Sequence, residues 1–214
     1  QSLIIIEKYQ KKYPNIIKVV TSENNVGANY NSTRILAKAS GKYIALCDGD
    51  DFWTDPYKLQ KQVDFLDDNP EYVICCHYSK VIDDYDETIY LDPKPVSLEY
   101  SYEDILTGNK KETRTASVVI RNIKEIKQLG NHQWYLNCNA GDAFFKLFAT
   151  ATTDKKIYVL PEVMSCYRIH NGGVWSMIDA NVRKGKMRND FNTLINNFRY
   201  TSHQKRRILK IYIT

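Results

Sequence analysis

The chain has 214 residues, 43% hydrophobic and 26% charged, the balance of one soluble globular domain and not of a disordered or fibrous chain. No apolar run approaches the roughly 20 residues that a membrane-spanning helix needs, and no signal-peptide pattern opens the sequence. The net charge of +5 is unevenly held, because residues 183–214 carry nine Lys and Arg against one acid, Asp190, which leaves the rest slightly acidic.

Taken in order, the chain enters a helix-like pattern at once, with no initiator Met before Gln1-Ser2-Leu3, as a piece of a longer protein would. Leu3–Tyr13 predicts a short helix stopped by Pro14, and the β-branched run Ile16–Thr21 predicts a strand. Asn24–Gly27 reads as a turn and Ala28–Ala39 as a helix closed by Ser40-Gly41. A buried strand follows at Tyr43–Cys47, then the acidic cluster Asp48-Gly49-Asp50-Asp51. Thr54-Asp55-Pro56 predicts a helix start, with Leu59, Val63 and Leu66 as its apolar face until Asn69-Pro70. Tyr72–Tyr78 reads as a strand, and residues 83–113 as a polar excursion with a short helix near Tyr102–Leu106.

Further on, Thr115–Arg121 predicts a strand, Ile123–Leu129 a helix and Ala143–Ala149 an apolar helix introduced by Asn139-Ala140-Gly141-Asp142. Ile157–Leu160 and Met164–Ile169 read as two strands separated by Pro161, and His170–Gly173 as a glycine-rich turn. Helices alternating with strands across short loops predict an α/β fold with a parallel sheet covered by helices.

The acidic cluster is the main chemical signal. Three carboxylates around one glycine repel one another, and a hard divalent cation shared with a phosphate relieves that repulsion. An ordinary solvated Asp-Gly turn explains the same residues equally well. Gly27, just before a helix, offers backbone N–H groups to an anion, as many glycines in that position do. The five cysteines are scattered and odd in number, which fits buried reduced thiols. Cys75-Cys76-His77 lacks the paired Cys-x-x-Cys spacing of structural zinc.

Together, Asn25-Val26-Gly27, the run Gly41-Lys42-Tyr43 through Asp48-Gly49-Asp50-Asp51-Phe52-Trp53-Thr54-Asp55-Pro56, and Lys58-Leu59-Gln60 with Gln62-Val63 resemble a family 2 glycosyltransferase of the GT-A fold. Thr115-x-Ser117, Arg121, Gly141-Asp142 and Tyr167-Arg168-Ile169-His170-Asn171-Gly172-Gly173 follow in the order that family uses. The resemblance covers residues 1 to about 178 as a Rossmann-like, mostly parallel mixed sheet, with 179–214 as a basic helical segment. Family members normally open with two strands ending in Pro-x-Tyr-Asn and Asp-Asp-Gly-Ser-x-Asp, which are not seen in this sequence.

The resemblance implies metal-dependent, inverting transfer of a sugar from a nucleotide-sugar, by family default a UDP-sugar, to a hydroxyl of a glycan or lipid-linked acceptor. It implies Mn²⁺ or Mg²⁺ on Asp50, with His170 reaching the metal or diphosphate, and Asp48 and Asp51 on the donor side. Gly27, Arg34 and Arg168 join the donor contacts, although Arg34 reads equally as a solvated helix charge and Arg168 as a loop brace. Asp142 is the implied general base; its place at a helix start also suits an N-cap, and partial burial is expected to raise its pKa. Gly172 and Gly173 are the hinge of a segment closing over the donor, and Trp134 and Tyr135 form either a stacking floor for an acceptor or core. The basic 183–214 segment suits peripheral contact with an anionic membrane, at the cytoplasmic face, or a helix with one solvated side; no motif points to nucleic acid. A sugar-nucleotide nucleotidyltransferase and a non-catalytic sugar- or membrane-binding module are the competing classes.

Overall fold

The computed structural model of the chain describes residues 2–172 and 179–213. Its elements begin with helices α1 (Ser2–Lys12) and α2 (Ala28–Lys38), strands β1 (Tyr43–Ala45) and β2 (Phe52–Trp53), helix α3 (Lys58–Asp68) and strand β3 (Tyr72–Ile82). Strands β4 (Thr88–Tyr90) and β5 (Leu98–Tyr100), helix α4 (Tyr102–Leu106), strand β6 (Val119–Arg121) and helices α5 (Lys124–Lys127), α6 (Gln133–Asn137) and α7 (Gly141–Thr153) follow. Strand β7 (Lys156–Arg168) and helices α8 (Ala180–Asn197) and α9 (Ser202–Ile213) complete the chain.

The sheet runs β1-β6-β3-β7-β2, with β4 added to β3 and β5 to β7. It is a mixed, helix-flanked sheet, but the expectation that it is mostly parallel is corrected, because its short strands return beside their neighbours and pair antiparallel. Its parallel pairing, β3 with β7, is also the longest, and the short strands around it pair antiparallel. A buried parallel pair should be apolar on both faces, and ten of the eleven β3 positions are buried. Pro161 does not divide β7 into two strands as expected. The register jumps from Leu160 opposite His77 to Val163 opposite Tyr78, so Pro161 and Glu162 sit in a bulge where the missing N–H of proline breaks no ladder bond.

Three other local expectations are corrected. Ile16–Thr21 forms no strand: the run pairs with no strand of the sheet, and Ile16 is 79% exposed. Tyr43–Cys47 yields only a three-residue strand, with Tyr43 and Ile44 half-buried and Ala45 exposed. Thr115–Ser117 is a 3-10 turn, and the strand starts only at Val119.

Helix α3 is rotated from its predicted apolar face. Lys58, Gln62 and Leu66 face inward, spaced by four residues, while Leu59 is 41% exposed. The reason is a buried polar relay. Lys58 Nζ donates to Gln62 Oε1 at 2.8 Å and lies 4.3 Å from the centre of the Trp53 ring. Gln62 Nε2 donates to the Cys75 and Ser117 carbonyls at 2.7 and 2.8 Å, and Trp53 Nε1 to the Ala116 carbonyl at 2.9 Å. Each buried polar atom thereby finds a partner, and β2 is pinned just beyond the acidic cluster. Burial holds Lys58 down at about 8.

The core lies between the sheet and α7. Phe144, Leu147 and Phe148 pack with Val73, Ile74, Ile120, Ile157 and Val159. Leu194 of α8 and Ile208 of α9 join the same cluster, so the basic segment packs one face and solvates the other. Four of the five cysteines are buried, Cys47 is exposed, and all five are free thiols. Among the described residues no group of three or more His, Cys, Asp and Glu is arranged to hold a metal ion, Cys75-Cys76-His77 included. His77 is buried and pushed down to about 3 by burial.

Candidate functional site

The acidic cluster occupies a tight turn between β1 and β2, closed by Asp51 N–H donating to the Asp48 carbonyl at 3.2 Å. The end of β7 stitches this turn in place. Arg168 N–H donates to Asp51 Oδ1 at 2.9 Å, and Arg168 Nε to the Asp50 carbonyl at 3.3 Å. Two residues on, His170 Nε2 lies 3.0 Å from Asp50 Oδ2. The pairing of Phe52 with Cys166 and Trp53 with Ser165 sets this register.

The three carboxylates have different surroundings. Asp51 is pushed up to about 6, chiefly by burial and then by Asp50 and Asp48, against the Arg168 N–H that lowers it. Its Oδ2 is buried without a hydrogen-bond partner. Asp48 is raised by burial, and by Asp50 and Asp142, against a hydrogen bond from Thr115. Asp50 carries the histidine. Gly172 N–H donates to His170 Nδ1 at 3.1 Å, so in the neutral ring Nε2 keeps the proton and donates it to Asp50. Ligation of a cation through that nitrogen requires the proton to leave.

The donor set suits a hard cation that brings most of its own shell. Such ions take one or two carboxylates and complete their coordination with water and phosphate oxygens. Asp50, with His170 beside it, supplies that minimal set, and the orphaned Asp51 Oδ2 adds unspent negative charge.

Asp142 stands in the first turn of α7 and its side chain is 49% exposed. It is not the N-cap: Ala140 holds that position, with no side-chain cap. The expectation that burial raises its pKa is overturned. Burial does push it up, but Lys146 and Lys110 outweigh that and hold it at about 2. Lys146, one helical turn away and 2% exposed, donates to Asp142 Oδ2 at 3.0 Å and to the Thr113 carbonyl at 2.6 Å. Its other contacts, the Thr113 carbonyl and Thr113 Oγ1 at 3.4 Å, carry no charge, so Asp142 is the carboxylate that compensates this buried ammonium.

The loop before Asp142 is held from α2. Asn29 Nδ2 donates to the Tyr135 and Cys138 carbonyls at 2.9 and 2.7 Å. Gly141 is required there, because a Cβ on it would lie 2.2 Å from Asn29 Oδ1. Asn29 sits at the start of α2, two residues after Gly27, whose φ of 82° favours glycine and whose N–H is already taken by Asn25 Oδ1 at 2.9 Å.

Asp48, Asp50, Asp51, His170 and Asp142 thus share one electrostatic neighbourhood, while other named residues serve differently. Arg168 Nη1 donates to the Asp83 carbonyl at 2.9 Å and Nη2 pairs with Asp86 at 2.8 Å, so its guanidinium braces the β3–β4 turn. Arg34 Nη2 donates to the Thr21 carbonyl at 2.5 Å, tying down the chain before α2. Tyr135 is core at 3% exposure, and Trp134 packs against Phe144, Phe148 and Phe198. Gly173 of the expected hinge, and the segment boundary at 178, lie outside the described residues. Sequence reasoning missed Lys146, although a lysine inside an otherwise apolar helix, four residues after an aspartate, was a readable signal. It also missed Asn29, for which nothing local announces a partner more than 100 positions away.

A family model described as Glycosyl transferase family 2 matches residues 1–134, more than half of the chain. The chain is 32% identical over 185 residues to an uncharacterized protein of Mycobacterium tuberculosis, Rv1520, covering 84% of this chain and 50% of that one. It is 28% identical over 169 residues to the uncharacterized glycosyltransferase MJ1057 of Methanocaldococcus jannaschii, covering 78% of this chain and 55% of that one. The chain therefore spans about half the length of the curated relatives it matches. Among solved structures it resembles TarS of S. aureus residues 1–349, with TM-score 0.63 and 18% identity, over 100% of this chain and 58% of that one, a likeness of fold.

Proposed function

The chain belongs to glycosyl transferase family 2, and from that premise we propose that it transfers a sugar from a nucleotide-sugar, of the UDP class, to a hydroxyl with inversion. The observation that carries the reading is the assembly of two unlike carboxylate sites. Asp50, Asp51 and Asp48 form an acidic turn with residual negative charge, and Asp142 beside them is kept ionised by a buried lysine. Mn²⁺ or Mg²⁺ on Asp50 and His170 would neutralise the diphosphate leaving group. Asp51 and Asp48 supply negative charge behind it.

The proton bookkeeping falls to Asp142. With Oδ2 engaged by Lys146, the acceptor hydroxyl proton passes to Oδ1 as the acceptor oxygen attacks the anomeric carbon from the side opposite the leaving group. A carboxyl held near 2 is a weak base, so the proton moves late, once the attacking oxygen has become acidic through bond formation. Lys146 then faces a neutral acid across the same contact, which favours return of the proton to water after the product leaves.

The acceptor in this reading is a glycan or a lipid-linked glycan at the cytoplasmic face of a membrane. The support for the membrane is the solvated side of α8 and α9, where Arg188, Lys205, Arg206 and Arg207 are exposed while the segment's one acid, Asp190, is buried. No helix among the described residues is long and apolar enough to cross a bilayer.

Replacement of Asp142 by Asn tests the assignment. UDP binding in the presence of Mn²⁺, read by calorimetry, is expected to change less than about threefold, while sugar transfer falls by about a thousandfold or more. An Asn variant that still transfers sugar refutes the role of Asp142.

A further inference from the structure

Helix α7 begins without a cap of its own, since Ala140 at the N-cap position has no side-chain acceptor. The acceptor comes from the C-terminal segment. Asp190, on α8 and only 2% exposed, receives Asn139 N–H on Oδ1 at 2.7 Å and Ala140 N–H on Oδ2 at 3.0 Å. Its Oδ1 also accepts from Asn139 Nδ2 at 3.1 Å. Asn139 Nδ2 reaches on to the Lys186 carbonyl at 3.2 Å, and Asn189 Nδ2 to the Asn137 carbonyl at 3.3 Å.

A buried carboxylate is costly unless its lone pairs are met, and here three N–H donors and the positive end of α7 meet them. Those donors belong to the two residues before Gly141-Asp142. The loop is gripped by α8 on these atoms and by Asn29 of α2 on the Tyr135 and Cys138 carbonyls. Gly141, pressed against Asn29, cannot move toward α2. The position of Asp142 is therefore set by Asp190, 48 positions later in the chain and in a segment whose remaining charges are all basic.

We propose that Asp190 is a positioning residue for sugar transfer, its buried carboxylate holding the Asn139–Ala140 backbone so that Asp142 stays within reach of the acceptor hydroxyl and of Lys146. The C-terminal helix is then part of the catalytic unit and not an accessory tail. The proposal rests on Asp142 being the base.

The test uses the full chain with ¹³C-labelled aspartate and compares wild type, Asp190→Asn and Leu194→Ala. Asp190→Asn keeps the size but turns an NH₂ donor toward one of the two backbone donors. Leu194→Ala loosens α8 one turn further on, where Leu194 is 3% exposed, and removes none of the hydrogen bonds that hold Asn139 and Ala140. In wild type the Asp142 carboxyl signal should not move between pH 7 and 4. In Asp190→Asn, the loosened contact with Lys146 should bring the start of its titration into that window, and in Leu194→Ala it should not. Turnover of UDP-hexoses, read as released UDP, should fall by about 10–100-fold in Asp190→Asn with the nucleotide KM unchanged. An unmoved Asp142 titration, or an unchanged kcat beside a moved one, overturns the proposal. Inactivity of Asp142→Asn with full activity of Asp190→Asn overturns it alone, whereas activity of Asp142→Asn overturns the reading beneath it.

Discussion

Lys146→Met isolates the ion pair beside the candidate base. Methionine fills nearly the same volume in a position that is 2% exposed, so the main losses are the contact to Asp142 Oδ2 and the bond to the Thr113 carbonyl. Four influences act on Asp142 at present: burial upward, and Lys146, Lys110 and the Ala143 N–H downward, with the result at about 2. Taking away Lys146 leaves burial opposed by Lys110 and the Ala143 N–H, and the carboxyl should rise toward its ordinary 3.8. That is a change of ~2 units, or ~2.5 kcal/mol between the two protonation states. As folding stability the figure shrinks to on the order of 1 kcal/mol, since the side chain is 49% exposed and screened. The depressed wild-type pKa contributes stability that is complete above about pH 4 and disappears as the pH falls through about 2. Wild type should thus lose this increment only below pH 4, and Lys146→Met should lack it throughout. At pH 7.5 the carboxylate is ionised in both proteins, so the variant should keep about a tenth of wild-type kcat, limited by orientation. The assay is the ratio of variant to wild-type rate from pH 8 to 4.5, which cancels titration of the shared acidic turn. The ratio should fall as the pH drops. A flat ratio together with an unshifted Asp142 carboxyl signal would refute the pairing as the cause.

The acidic turn should divide its work unequally. Asp50→Ala is expected to weaken Mn²⁺-dependent UDP binding by about 100-fold and Asp48→Ala by about 10-fold, and equal tolerance of both by calorimetry would return the stretch to an ordinary turn. Gly141→Ala, at a helix start where alanine normally gains up to ~1 kcal/mol, should instead destabilise in urea denaturation, because its Cβ meets Asn29 Oδ1 at 2.2 Å. The penalty should shrink on an Asn29→Ala background, and strict additivity would count against the clash. For the basic helices, co-sedimentation with phosphatidylglycerol vesicles should exceed that with phosphatidylcholine and weaken in high salt; equal binding to both would remove the membrane from the reading.

The fold was legible where local chemistry and tertiary demand agree. The short helix at Tyr102–Leu106 carries a complete capping box between Ser101 and Asp104, a signal contained within four residues. The strands of the central pair β3–β7 were legible as apolar runs, but not their full length, since β3 continues past Tyr78 to Ile82 and β7 runs through Pro161. Where partners are needed, the sequence misled. Ile16–Thr21 has every strand propensity and no ladder, and Lys58 and Gln62 look like solvent-facing helix positions until the Cys75 and Ser117 carbonyls accept from Gln62 and Gln62 Oε1 accepts from Lys58.

The site shows the same division more sharply. Asp48, Asp50 and Asp51 cluster because they are neighbours in the chain, and that much could be read directly. What distinguishes them cannot, since Arg168 N–H and His170 arrive on a strand whose register is set by Phe52 opposite Cys166. Asp142 shows why a residue's type and spacing underdetermine its chemistry. A carboxylate opening an apolar helix implies a capped terminus or a base with a raised pKa, and the structure supports neither. Capping passes to Asp190 from α8, and the pKa passes to Lys146, which faces the carboxylate because four residues complete a helical turn. Freed from capping, the Asp142 side chain stays 49% exposed. In the proposed role as base, a carboxyl held at about 2 should work over a wide pH range, so an acid limb in the transfer rate above pH 4 would not come from Asp142.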